Sequence, residues 1–251
     1  MENKIFKTFV IGLEKSGMRF EKFLNNNNHL QAEFYQGIKG DEISNEERIS
    51  IGLISKEDPI LMTDGAVGCA ISHKNLWNIT KKSDIGALIL EDDVITHPQI
   101  YDFIYTNLHE LMKFDITFFS INTNSILESI TPEGVRNIMH FNDKHPSEKR
   151  IKEILQKTNL REVRVNKLIK SFGFSSYFIS PKGASLLNEK IFPLKSVPFD
   201  IPYVNNKFIP NTSDGEANRH YYKINALVCV PFLAYSPNID SSTKLEIKFS
   251  F

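Results

Sequence analysis

Apolar positions along the chain fall into short blocks that switch between the period of a strand and the period of a helix. Phe6 to Leu13 is rich in β-formers and runs into Glu14-Lys15-Ser16-Gly17, which predicts a first strand, a turn and a short helix over Arg19 to Leu24. Asn25 to Asn28 punctuates the end of that helix, and Ala32 to Gly37 reads as a second strand. Ile38 to Asp58 is polar and acidic, consistent with irregular chain around one short helix, and Pro59 to Gly65 has strand and turn character. From Ala66 to Thr80 the apolar residues Val67, Ala70, Ile71, Leu76, Trp77 and Ile79 keep close to helical spacing, predicting a helix packed on a sheet. Gly86 to Leu90 is a continuous apolar run of the kind found in fully buried strands.

The alternation continues downstream. Pro98 to Lys113 spaces Ile100, Phe103, Ile104, Leu108 and Leu111 as an amphipathic helix with proline near its first turn. Strands are expected at Ile116 to Ile121, Ser175 to Ser180 and Ala226 to Val230, with a proline-led helix over Pro181 to Glu189. The charged, helix-prone stretch 137–170 lies between strand signals and is expected to be a local insertion or lid. The polar tail after Pro231 is expected to pack as a strap. Strands alternating with helices imply a single α/β domain built on a mainly parallel sheet with helices on both faces.

Composition narrows the partners. Lysines and arginines number 30 and acids number 30, so the formal charge is zero and no global field recruits nucleic acid. Two cysteines, Cys69 and Cys229, lack the spacing of a disulfide framework or zinc cluster, and a reducing cytoplasm fits them best. The opening residues lack the apolar core of a signal peptide, so the expectation is a cytoplasmic protein, with peripheral contact at the inner membrane surface as a further option. The basic stretch Lys144 to Lys170 could steer such contact toward anionic lipid, although a solvated helix face is the more ordinary role.

One segment carries chemistry. The run Ala87-Leu88-Ile89-Leu90 ends abruptly in Glu91-Asp92-Asp93. Three adjacent carboxylates repel one another, and burial raises their pKa values, so such an arrangement persists when a cation or donor-rich ligand compensates it. Along an extended chain Glu91 and Asp93 would face one side and Asp92 the other. That pair suits Mg²⁺ or Mn²⁺, which are held by one or two carboxylates together with substrate phosphates. In an open parallel sheet ligands bind outside the carboxyl ends of strands, where this cluster falls. A solvated acidic turn is the alternative reading, and another metal-dependent phosphate enzyme would use the same acids.

Several segments also match one family pattern in order. Phe9-Val10-Ile11-Gly12-Leu13-Glu14-Lys15-Ser16-Gly17-Met18-Arg19 resembles a first strand followed by an Asn-Leu-x-Arg-Ser-x-x-Arg turn, with Gly12 in place of the asparagine and Lys15 in place of the first arginine. The segment from Gly65 through Gly68-Cys69, Ser72-His73 and Trp77 is similar to a Gly-x-x-Gly-Cys-x-x-Ser-His-x-x-x-Trp block. Ala87 to Val94 resembles the acid motif, Tyr177 to Ala184 a second signature, and Val197-Pro198-Phe199-Asp200 a proline and aspartate position. Together these resemble family 25 glycosyltransferases, which include lipooligosaccharide and collagen galactosyltransferases.

The resemblance implies a GT-A-like, Rossmann-type fold, a UDP-sugar donor (usually UDP-galactose) and inverting transfer to a saccharide acceptor such as lipooligosaccharide. Asp93 and Glu91 are then the metal ligands for Mn²⁺ or Mg²⁺. Glu91, Asp92, His73, Lys15 and Arg19 are candidate donor contacts, with the two cations neutralising diphosphate. The base must approach the sugar opposite the leaving group, hence from another segment, and Asp200 is the candidate. Each has an ordinary alternative: a structural histidine at His73, solvated charge at Lys15 and Arg19, core packing at Trp77. Tyr177 and Phe178 alternate on a strand, so one should face core and the other could reach ligand. Asp214, Glu216 and His220 are a loose polar cluster without ligand spacing. The replacements at Gly12 and Lys15 keep a non-catalytic, nucleotide- or saccharide-binding member of the family in view.

Overall fold

The computed structural model describes residues 5–141, 144–201 and 207–238. In chain order its elements are β1 (Lys7–Gly12), α1 (Met18–Asn26), β2 (Glu33–Gln36), α2 (Asn45–Ser50), α3 (Asp64–Thr80), β3 (Ala87–Glu91), β4 (Ile95–Thr96) and α4 (Ile100–Leu111). They continue as β5 (Ile116–Ser120), β6 (Ile126–Ile130), β7 (Arg136–His140), α5 (Glu148–Lys157), β8 (Arg164–Lys170), β9 (Ser176–Ile179), α6 (Pro181–Ile191), α7 (Ser213–Ala217), β10 (Ala226–Val230) and β11 (Ala234–Tyr235). Nine strands form one sheet in the order β2-β1-β3-β9-β5-β10-β8-β6-β7, while β4 and β11 pair separately.

Sheet and helices follow from the apolar pattern. Side chains alternate across each strand, so β3 sends Ala87 and Ile89 to the face covered by α3 and α6, with Val67, Ala70, Trp77 and Leu187. Leu88 and Leu90 go to the other face, against Phe20 and Phe23 of α1 and Ile100 and Ile104 of α4. A strand buried on both faces must be apolar at every position, which is why this run lacks polar alternation. Helix starts are fixed by side-chain caps: Thr63 accepts from the Ala66 N–H and Ser180 from the Gly183 N–H, with Pro181 at the first position of α6.

The α/β architecture is as expected, and several details differ. The sheet is α/β with β1, β2, β3, β5, β6 and β10 in one direction, but β9 enters antiparallel between β3 and β5, and β8 and β7 also run against the main direction. Among its described residues the stretch 137–170 holds the end of β7, the helix Glu148–Lys157 and a 3₁₀ turn at Leu160–Glu162, and its last part is β8, a sheet strand beside β10. The pair β6 and β7 was not expected from periodicity. It turns at Gly134, whose φ of 85° is a left-handed value that glycine adopts without steric cost, so Pro132-Glu133-Gly134 was the available signal. Pro59 to Gly65 forms no strand and instead leads into the Thr63 cap. No helix among the described residues is long and apolar enough to cross a membrane.

Candidate active site

The acidic triplet sits where β3 leaves the sheet. Glu91 is the last strand residue, paired in register with Ile11 of the parallel neighbour β1. Beyond it the chain turns: the Val94 N–H donates to the Glu91 carbonyl at 3.2 Å and the Asp92 N–H to the Ile11 carbonyl at 3.0 Å. Because the chain is no longer extended, strict alternation ends at Glu91, and each carboxylate meets a different neighbour. Asp92 pairs with Arg19 of α1 at 2.6 Å. Glu91 turns toward α3, with Oε1 3.5 Å from His73 Nε2 and 3.9 Å from Cys69 Sγ. Asp93 accepts from the Ser236 hydroxyl at 2.9 Å and lies 3.8 Å from Arg19.

The turn is clamped from below. Asn27, at the end of α1, donates to the carbonyls of Phe23 and Val94, and its side-chain oxygen accepts from the Thr96 N–H and hydroxyl, the last three contacts at 2.8 Å. On the opposite side His73 is buried, with Nδ1 2.7 Å from the Tyr177 hydroxyl, which also accepts from Trp77 Nε1 at 2.8 Å. Ser72 ties α3 to the chain after β2 by donating to the Gly68 carbonyl and accepting from the Ile38 N–H. Gly68 permits that approach, since a Cβ there would lie 2.2 Å from the Ile38 carbonyl oxygen. Gly12 has a related role, with a Cβ meeting Asp92 Oδ2 at 3.0 Å.

Electrostatics mark Asp93. Burial, then the Glu91 charge, push its pKa up to about 7, against the weaker pull of Ser236 and Arg19. Among the described residues its Oδ1 is buried without a hydrogen-bond partner. Asp92 is also raised by burial, opposed by Arg19. Arg19 in turn is lowered by burial but raised, on balance, by the carboxylates of Asp92 and Asp93. The Cys69 thiol is pushed well up by burial and by the charges of Glu91 and Asp214. This is a concentrated negative field with one unsatisfied oxygen, the environment in which a divalent cation is favourable.

The structure therefore brings Arg19, His73, Glu91, Asp92 and Asp93 together. Lys15 is exposed in the turn after β1, and Asp200 is exposed beyond Phe199, which forms an isolated bridge with Phe208. Tyr177 and Phe178 are both core, on opposite faces, because helices cover the sheet on both sides; Tyr177 reaches the site only through His73. Trp77 is core as well. Sequence reasoning missed Ser236, Asn27 and Asp214. Asp214 accepts from the Gly173 N–H at 2.7 Å, and its charge acts on Cys69. The sequence marks Asp214 only as part of a loose polar cluster and Asn27 only as helix-end punctuation, and their contacts are set by long-range packing rather than spacing.

Fold and site together define an α/β protein of Rossmann-like layout with a carboxylate cluster at the carboxyl end of a central strand. The sequence pattern of glycosyltransferase family 25 (LPS biosynthesis protein) matches residues 5–202, and the chain belongs to that family. It is 27% identical over 176 residues to the lipooligosaccharide biosynthesis protein lex-1 of Haemophilus influenzae, covering 69% of this chain and 51% of that protein. It is 27% identical to a glycosyltransferase 25 family member of Drosophila melanogaster, over 53% of this chain and 24% of that protein. A family member from Aedes aegypti is 28% identical over 82% of this chain and 32% of its own length. The chain thus spans between about a quarter and a half of these relatives.

Proposed function

We propose that this protein transfers a hexose, galactose, from its UDP carrier to a saccharide acceptor in lipooligosaccharide synthesis, with inversion at the sugar, on a GT-A-like scaffold. The observation that carries the reading is the buried Asp93 Oδ1, without a hydrogen-bond partner among the described residues, beside Glu91 at the end of β3 in a chain of this family. Hard carboxylate oxygens in a negative field fit Mn²⁺ or Mg²⁺, and Asp93 with Glu91 would hold the ion. Bound there, the metal supplies charge stabilisation to the departing diphosphate.

The remaining work falls to the chain itself. Arg19 fixes Asp92 and brings positive charge to the donor side of the acids, and His73 orients Glu91 from behind. Lys15 is exposed beside the same strand ends and is available for diphosphate. Asp200 serves as the acceptor base: it is exposed and comes from a segment separate from the acids, as attack opposite the leaving group requires.

Incubation with UDP-galactose, Mn²⁺ and a panel of truncated lipooligosaccharide acceptors, read by mass spectrometry, tests the proposal. A hexose mass increment on one acceptor supports it. Absence of transfer from every UDP-sugar, with no UDP binding, refutes it, whereas UDP binding without transfer or hydrolysis identifies a non-catalytic member. Asp200→Asn should abolish turnover while leaving UDP binding intact, and unchanged turnover removes Asp200 from the reaction.

A further inference from the structure

Behind the carboxylate turn lies a second set of donor atoms of different chemistry. Cys69 Sγ, His73 Nε2 and one Glu91 carboxylate oxygen all lie within 4.8 Å of one another, between the middle of α3 and the end of β3, with Cys69 and Glu91 half-buried and His73 buried. Tetrahedral zinc bonds of about 2.0–2.3 Å place neighbouring ligand atoms about 3.3–3.7 Å apart. The His73 Nε2 to Glu91 Oε1 separation of 3.5 Å falls inside that range, and the Cys69 Sγ to Glu91 Oε1 separation of 3.9 Å is just outside it.

We propose that Cys69, His73 and Glu91 form a binding site for a borderline-soft divalent ion, Zn²⁺, distinct from the hard-ion role of Asp93. The helix supplies the first two ligands on one face, because residues four apart on α3 stack above each other. An orienting partner is also in place. In the Nδ1–H tautomer, His73 donates a hydrogen bond to the Tyr177 hydroxyl, 2.7 Å away and anchored by Trp77, leaving Nε2 free to bind metal. Zinc binding forms the sulfur–metal bond as the thiol proton leaves to solvent. Three protein ligands leave a fourth position open, as in exchangeable rather than closed structural sites. Nitrogen and sulfur ligands disfavour Mg²⁺ and Mn²⁺ and favour zinc, so the two sets sort ions by softness. Glu91 belongs to both, so zinc and the donor metal exclude each other; that consequence rests on the proposed function, the zinc site itself does not.

The test is a Co²⁺ titration of the chelator-stripped full chain, followed by Zn²⁺ displacement. Cobalt bound to a thiolate gives a ligand-to-metal charge-transfer band. The only other cysteine, Cys229, is fully buried among apolar side chains in the core on the α1 and α4 side, so the band reports Cys69. The wild type should show the band saturating at a single equivalent and losing it to Zn²⁺. Cys69→Ser should remove the band and weaken Zn²⁺ binding more than ~100-fold, since loss of an outer partner alone costs about 10–100-fold. Glu91→Gln should weaken binding at least ~10-fold, and Asp93→Asn should retain the band. Cobalt binding without the band, a band surviving in Cys69→Ser, its loss in Asp93→Asn, or no binding at all overturns the proposal.

Discussion

Replacing Asp93 by asparagine in protein stripped of divalent ions should stabilise the fold, and by an amount that grows with pH. Asparagine keeps the shape and can still accept from the Ser236 hydroxyl, while Arg19 retains Asp92. What it removes is the cost of ionising a carboxyl whose pKa rises from 3.8 to about 7 on folding, chiefly through burial. Below the unfolded value both states hold the proton and nothing is lost. Between the two values the native state keeps a proton that the unfolded state releases, so wild-type stability falls as pH rises, and the loss is complete above about pH 7. At about 1.36 kcal/mol per unit the full difference approaches about 4 kcal/mol, of which about 2–3 kcal/mol develops between pH 5 and pH 8. Urea unfolding of both proteins in chelator across that interval reads the effect as a difference in which titrations remote from the acid cluster cancel. An advantage for Asp93→Asn that is flat in pH, or a wild type more stable at pH 8, refutes the reasoning. Saturating Mn²⁺, at about a hundred times its dissociation constant, should then restore about 2.7 kcal/mol to the wild type and little to the variant.

Other contacts make separate predictions. Tyr177→Phe leaves the Trp77 N–H and His73 Nδ1 without their buried partner, and at about 1–3 kcal/mol per unsatisfied group the urea midpoint should fall by the equivalent of about 2 kcal/mol or more. A slope change would indicate altered compactness instead. Asn27→Ala removes four hydrogen bonds, three of which tie α1 to the chain after the acids, and should cost about 3 kcal/mol in the same assay. Gly68→Ala sets about 1 kcal/mol of gained helix propensity against a Cβ placed 2.2 Å from a backbone oxygen. Overpacking against main chain wins, and the melting temperature should drop rather than rise.

The parts of this site legible in the sequence are those set by local rules. Continuous apolar residues before three acids located the end of β3, because only a strand buried on both faces reads that way. Helical spacing located α3 and, with it, the Cys69 and His73 pair that the same face presents. Prediction stopped where the chain closes on itself. Ser236 reaches Asp93 across 143 positions, and the Arg19 guanidinium reaches Asp92 across 73, distances over which no periodicity is informative. The asparagines after α1 read as punctuation, yet Asn27 holds the acid turn in place, since a buried side-chain amide can satisfy backbone groups that no strand or helix pairs. The antiparallel entry of β9 has the same origin. Its residues fix that it is a buried strand, but its direction is decided by which neighbours, β3 and β5, leave a slot between them. That slot is also what puts the Tyr177 hydroxyl against His73. Strand direction, invisible in the apolar pattern, therefore sets the hydrogen bond that orients the histidine behind Glu91.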